Sequence, residues 1–167
     1  MSLRNALFYT FSLLFCLIVQ ILFLRDLVLF NYAFCFLYIG AILVLPPEMD
    51  KMLYLLIAFL TGIVLDMFMN TLGLHASATV AVAYARSFVI DRQARLSGEE
   101  LVTLSLRRVG FVVFTRVVFP LVLLHSAMLF LIEANSLNLI LYTVIRIVAS
   151  SVFTMTGILI WQSFVKQ

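Results

Sequence analysis

The sequence predicts an all-α, polytopic transmembrane helix bundle of about six spans, and three observations carry that fold class. Of 167 residues, 65% are hydrophobic and 11% charged, and the mean hydropathy is +1.18. Soluble domains have about 45–50% apolar and about 25% charged residues, so this chain has too few charges to cover a soluble surface. The apolar residues form runs of roughly 17–25, the length that crosses about 30 Å of hydrocarbon. Finally, lysine and arginine gather in alternate connections between the runs.

The expected spans are Ala6–Leu24, Leu27–Leu45, Met52–Met69, Leu74–Ile90, Val109–Ile132 and Leu139–Trp161, within a single integral membrane domain covering residues 1–167. Five spans are the fallback, because only Arg25 and Asp26 separate the first two runs. Those two should form a tight hairpin or be slightly shorter than drawn. The first run resembles a signal peptide only superficially: it is too long for an h-region, lacks an A-x-A-like site, and leads into another apolar run. It is expected to be an uncleaved helix. Pro46–Pro47 should end the second span and Pro120 should kink the fifth. Cys16 and Cys35 fall within spans without C-x-x-C spacing and read as small packing residues. There is no internal repeat and no low-complexity linker.

Positive loops resist translocation, so the distribution of basic residues sets the orientation. With both termini cytoplasmic, the inner segments carry Arg4, Lys51, Arg92, Arg95, Arg107, Arg108 and Lys166, and the outer loops carry only Arg25. The net charge of +3 and the pI of about 9.1 follow mostly from this asymmetry and require no nucleic-acid partner. The polar stretch Asp91–Arg108 is expected to be a cytoplasmic or interfacial connector. Ser97 and Glu100 have capping-box spacing, and Leu101 with Leu104 form a short apolar stripe feeding the fifth span near Gly110. Its arginines, Arg92, Arg95, Arg107 and Arg108, are candidates for docking a cytoplasmic partner. The plainer reading, that they fix topology and touch anionic lipid, is preferred.

The chemically distinctive stretch is Thr61–His75, where a carboxylate interrupts an apolar run ahead of a Gly-bearing turn and a histidine. Ala58, Gly62 and Asp66 recur at i, i+4, and Ser77, Ala81 and Ala85 form a similar small ridge on the next helix. Small residues let helices approach closely in lipid, so the two ridges should pack. Asn70–Gly73 would form the turn, with Gly73 free to take positive φ. A carboxylate at a helix centre costs about 2.5–3.5 kcal/mol on insertion scales, so Asp66 should face protein, water or a basic partner. Counting about 1.5 Å per residue puts Arg146 at a similar depth, which makes it the expected partner; Arg86 and Arg116 fall nearer the cytoplasm. Structural pairing is the favoured role, and binding of a ligand or a second chain is the alternative. Asp66, His75, His125 and Glu133 could be gathered into a metal or acid–base site, but no H-E-x-x-H or similar spacing supports one, and no cofactor is expected. A G-x-S-x-G elbow and a Walker loop are also absent.

The segments Leu60-Thr61-Gly62-Ile63-Val64-Leu65-Asp66 and Leu72-Gly73-Leu74-His75-Ala76 resemble the G-x-x-x-D … P-L-G-L-H/N-A core of the bacterial rod shape-determining protein MreD family. Motif-level similarity covers about residues 60–85. Thr71 stands where a proline is common, so the turn is expected to be less rigid than in relatives. The resemblance implies a non-enzymatic component of the cell-elongation machinery in the cytoplasmic membrane. Such a protein works with an MreC-like single-span protein, and through it with actin-like MreB, the RodA glycosyltransferase and a penicillin-binding transpeptidase. It also implies a fold similar to the substrate-binding subunits of energy-coupling-factor transporters, and so a second reading as a vitamin-binding transporter subunit with an outward pocket. The short, uncharged loop between the third and fourth spans favours the scaffold.

Overall fold

The computed structural model describes residues 3–46, 48–98, 104–134 and 140–165. The elements are α1 (Leu3–Val19), continued by a π-helical turn at Gln20–Leu24, β1 (Val28–Leu29), β2 (Ala33–Phe34), α2 (Leu37–Leu43), α3 (Lys51–Met69), α4 (Leu74–Ser97), α5 (Leu106–Glu133) and α6 (Ile140–Phe164). The fold is an all-α bundle. Among the described residues, four helices are long and apolar enough to cross a membrane: Arg4–Leu24, Lys51–Met69, Leu106–Glu133 and Ile140–Phe164. Helix α4 has 24 residues, but Arg86, Asp91, Arg92 and Arg95 make it more polar than those four.

The helices run back and forth. The turn after α1 contributes Gln20 and Leu24 to the same cavity wall as Thr71 between α3 and α4 and Glu133 at the close of α5. At the opposite end, Arg107 in the first turn of α5 donates to the Ser163 carbonyl near the end of α6 at 2.7 Å. The start of α1 and the end of α6 therefore lie at one end of the bundle, and the α3–α4 turn lies at the other.

The expected second span, Leu27–Leu45, is not a helix of span length. Arg25 and Asp26 pair at 3.8 Å, and the chain then makes a small antiparallel hairpin, Val28 opposite Phe34 and Leu29 opposite Ala33. Phe30 and Asn31 at its tip both have positive φ, and Tyr32 N–H closes the turn on the Leu29 carbonyl at 3.1 Å, the primed geometry that suits the twist of paired strands. Only seven residues, Leu37–Leu43, are helical, and all are buried. Extended backbone inside an apolar bundle needs hydrogen-bond partners, and α6 supplies them. Ser150 Oγ accepts from Phe34 N–H at 3.0 Å, and Thr154 Oγ1 accepts from Phe36 N–H at 2.9 Å. Gln20 Nε2 donates to the Cys35 carbonyl at 2.9 Å. Cys16 and Cys35 are free and buried, as packing residues.

Asp50 caps α3, accepting from Met52 N–H at 2.9 Å and Leu53 N–H at 3.0 Å. Helix α4 continues through Ser97 and stops at Gly98 in the left-handed region. Ser97 is thus the last residue of a helix and not the cap of a new one, so the expected separate connector helix does not begin there. Glu100 and Leu101 lie outside the described residues, as do Pro47, Asn135 and Lys166. In α5 the break in helical dihedrals falls at Gly110, with φ 77° and ψ 164°, and not at Pro120. Glycine adopts that conformation without steric penalty.

The α3 ridge packs as expected, with Ala58, Gly62 and Asp66 buried. Its partner ridge on α4 is displaced by one residue: Ser77 is exposed, and a Cβ on Gly62 would lie 2.4 Å from the Cα of Ala76. Backbone cannot yield as a flexible side chain can. Gly62→Ala should therefore destabilise the protein by about 1–3 kcal/mol through overpacking, whereas Phe59→Ala on the exposed face of α3 should stay within about 0.5 kcal/mol. Thermal unfolding of the purified protein in detergent checks both.

Candidate functional site

Asp66 sits at the junction of two helices and serves both. Its carbonyl accepts from Asn70 N–H and from Thr71 N–H at 3.0 Å, the bonds that close a helix around a left-handed residue, here Asn70 with φ 55°. Its side chain opens the next helix. Gly73 precedes α4 and has no side chain to cap it. Instead, Asp66 Oδ1 accepts from His75 N–H at 3.0 Å and Oδ2 from Ala76 N–H at 2.9 Å, the second and third positions that a capping side chain normally serves. Thr71 Oγ1 also donates to Oδ1. A carboxylate at a helix N-terminus is further stabilised by the helix dipole. Gly73 has φ 79°, and no atom would lie within 4 Å of an added Cβ, so backbone conformation and not crowding requires glycine there. The Thr71 hydroxyl helps close the turn.

The expected pair between Asp66 and Arg146 does not form. Arg146 Nη2 instead lies 3.2 Å from Glu133 Oε2, and its guanidinium rests over the rings of Phe130 at 4.3 Å and Phe34 at 5.1 Å. Equal depth placed Asp66 and Arg146 at the same end of the bundle, but depth says nothing of azimuth, and Asp66 faces the backbone of α4.

Behind the turn lies a buried polar group that spacing did not reveal. The Tyr38 hydroxyl is 3.2 Å from His75 Nδ1, 2.6 Å from His125 Nε2 and 3.4 Å from Thr79 Oγ1. A hydroxyl carries one proton, so Tyr38 donates to one partner and accepts from another, which couples the tautomers of the two imidazoles. Phe36 stands edge-on to both histidines, with centroids at 5.9 and 5.2 Å. The sequence signal for Tyr38 was a phenol inside an apolar run, which must find a partner when buried. Among the described residues no cluster of His, Cys, Asp and Glu suits a metal ion.

Of the residues singled out in the sequence, Gly62, Asp66, Gly73 and His75 come together at the α3–α4 turn. Arg146 is at the same end but belongs to a cavity of about 170 Å³ whose walls include Gln20, Phe34, Phe36, His75 and Phe130. Arg92, Arg95, Arg107 and Arg108 are exposed at the opposite end, flanking the α4–α5 connection; Arg95 Nε bonds its own helix at the Asp91 carbonyl. No family model, curated protein or solved structure matches the chain.

A double-mutant cycle separates the two pairings. Asp66→Ala and Arg146→Ala should be additive within about 0.5 kcal/mol, while Arg146→Ala and Glu133→Ala should couple by about 0.2–1 kcal/mol, the range for a partly exposed ion pair. Tyr38→Phe removes the shared hydroxyl and leaves buried imidazole nitrogens unsatisfied, so it should lower stability by about 1–3 kcal/mol. Denaturation in detergent measures all of these.

Proposed function

We propose that this protein is a non-enzymatic membrane scaffold of the bacterial cell-elongation machinery, docking an MreC-like single-span helix in the cytoplasmic membrane. Through that partner it supports lateral peptidoglycan synthesis with actin-like MreB, RodA glycosyltransferase and a penicillin-binding transpeptidase. The observation that carries this reading is the use made of Asp66. The residues that resemble the MreD core, 60–66 and 72–76, build one closed turn in which both carboxylate oxygens are taken by internal donors. That is the chemistry of a structural joint.

Docking then falls to helix faces. The apolar window of α1 is 22% buried within the protein, against 33–44% for the other three spanning helices, and Phe11, Phe15, Ile18 and Leu22 on it are exposed. Helix association in lipid rests on close packing and a few polar contacts, and α1 has the most surface left for it. Gly62 is occupied inside the α3–α4 hairpin, so bulk at that position tests the hairpin and not docking. The transporter-subunit reading keeps one observation in its favour, the cavity beside His75 and Arg146 at the turn end.

In this reading both termini and the 91–108 connection are cytoplasmic. Cysteines placed at Ser97 and Asn70 should label from the inside and the outside respectively; external labelling at Ser97 would overturn the topology. Depletion should round rod-shaped cells, and an MreC-like protein should co-purify with the wild type but less with a Phe11→Ala/Phe15→Ala variant of unchanged melting temperature. Normal cell width, together with a vitamin retained by the purified protein, would favour the transporter subunit instead.

A further inference from the structure

The end of the bundle away from the turn holds a larger cavity of about 370 Å³ between the start of α3 and the lower part of α4, within the size range of small-molecule sites. Three charged side chains line it: Lys51, Arg86 and Asp91. Two cations face one carboxylate. Arg86 is only 5% exposed. Its Nε donates to the Leu43 carbonyl at 3.1 Å and one Nη to the Leu45 carbonyl, while the guanidinium carbon lies 4.8 Å from the centre of the Tyr54 ring. Among the described residues no carboxylate pairs with it. The two carbonyls take two of its five N–H donors, neither they nor the ring face neutralise its charge, and a buried cation in an apolar bundle is usually paired.

Lys51 is exposed at the first position of α3, and the neighbouring Asp50 is engaged with the helix backbone. The outer wall is apolar. Tyr84 and Phe88, each more than half exposed, stand edge to face with centroids 5.4 Å apart. A cationic recess beside an exposed aromatic face, where an apolar helix begins, has the chemistry of an anionic amphiphile site. Basic pockets between helices near the membrane surface take lipid head groups. An acidic side chain of a partner would match the charge but would leave the aromatic wall uncovered, and a zwitterionic lipid would add no net charge to answer Arg86.

We propose that this cavity binds one anionic phospholipid, its phosphate held by Lys51 and Arg86 and an acyl chain laid along Tyr84 and Phe88. The site is independent of the scaffold reading and is distinct from the cavity at the turn.

The test is native mass spectrometry of the full-length protein from mild detergent, incubated with equimolar phosphatidylglycerol and phosphatidylcholine of identical acyl chains. One phosphatidylglycerol should be retained in preference, and Lys51→Gln should lower that preference about fivefold, the effect of one basic residue near an anionic head group, with melting temperature unchanged. Arg86→Gln removes the donors to the Leu43 and Leu45 carbonyls and can fail to fold, so Ser87→Phe, which fills the cavity, is the second variant and should also reduce retention. Equal retention of the two lipids, or a preference that survives both Lys51→Gln and Ser87→Phe, would overturn the proposal. Displacement of the lipid by equimolar inorganic phosphate would show a site for free anions, and a photo-crosslinker at Phe88 that captured protein and not lipid in cell membranes would show a partner's side chain. Either result overturns the lipid assignment.

Discussion

The interior of this bundle offers backbone amides and carbonyls no water, so every interruption of a helix must be answered by a side chain. Among the described residues, besides the exposed break at Gly110, the fold interrupts its helical backbone at the α3–α4 turn and along the segment after α1. At the α3–α4 turn, Asp66 receives the free amides of His75 and Ala76. Along the segment from Tyr32 to Leu45, Ser150, Thr154 and Gln20 serve the extended part, while Tyr54 donates to the Ile42 carbonyl and Arg86 to those of Leu43 and Leu45, at and just past the end of α2. Five of the buried polar residues that stand out in an apolar sequence, Gln20, Asp66, Arg86, Ser150 and Thr154, are thus accounted for by backbone left unpaired nearby.

The same accounting sets the packing. Because the second pass is mostly not helix, it occupies less width than a helix would, and its buried residues fill the centre of the bundle against α1 and α6. Gly40 lets it lie on α6, where a Cβ would meet the side chain of Ile158 at 2.7 Å. Gly62 performs the equivalent role between α3 and α4, but against backbone. The two close approaches differ in tolerance for that reason: a side chain can change rotamer, while a helix backbone moves only as a unit.

Several polar groups are engaged inside the bundle, while Gln20 Oε1, His125 Nδ1 and Arg146 Nε are buried without a hydrogen-bond partner among the described residues. Asp66 is committed to the turn, and Tyr38 to the two histidines. Arg146 has both an anion and aromatic faces. The bundle also presents surface: the apolar face of α1, the exposed arginines flanking the α4–α5 connection, and the cationic recess beside Tyr84. Surfaces of this kind suit contacts with lipid and with other helices, which the proposed scaffold role would require.

Much was legible in the sequence because hydropathy and one-dimensional spacing report local physics. The all-α membrane class, the bounds of α1, α3, α5 and α6 to within a few residues, the Asn70–Gly73 turn, and the convergence of Gly62, Asp66, Gly73 and His75 all follow from apolar run length, helix periodicity and glycine at a turn. Tertiary structure alone decided the rest. The run Leu27–Leu45 is apolar enough for a helix, and Gln20 together with the hydroxyls of Ser150 and Thr154, more than a hundred residues away, makes its extended backbone tolerable. Arg146 and Asp66 share a depth, but their azimuths, fixed by the packing of α5 and α6, send one to Glu133 and the other to the amides of α4. Burial is a property of residues along the chain, whereas the partner of a buried polar group is a property of the assembled bundle, because hydrogen bonds act over about 3 Å in a direction that sequence spacing does not encode.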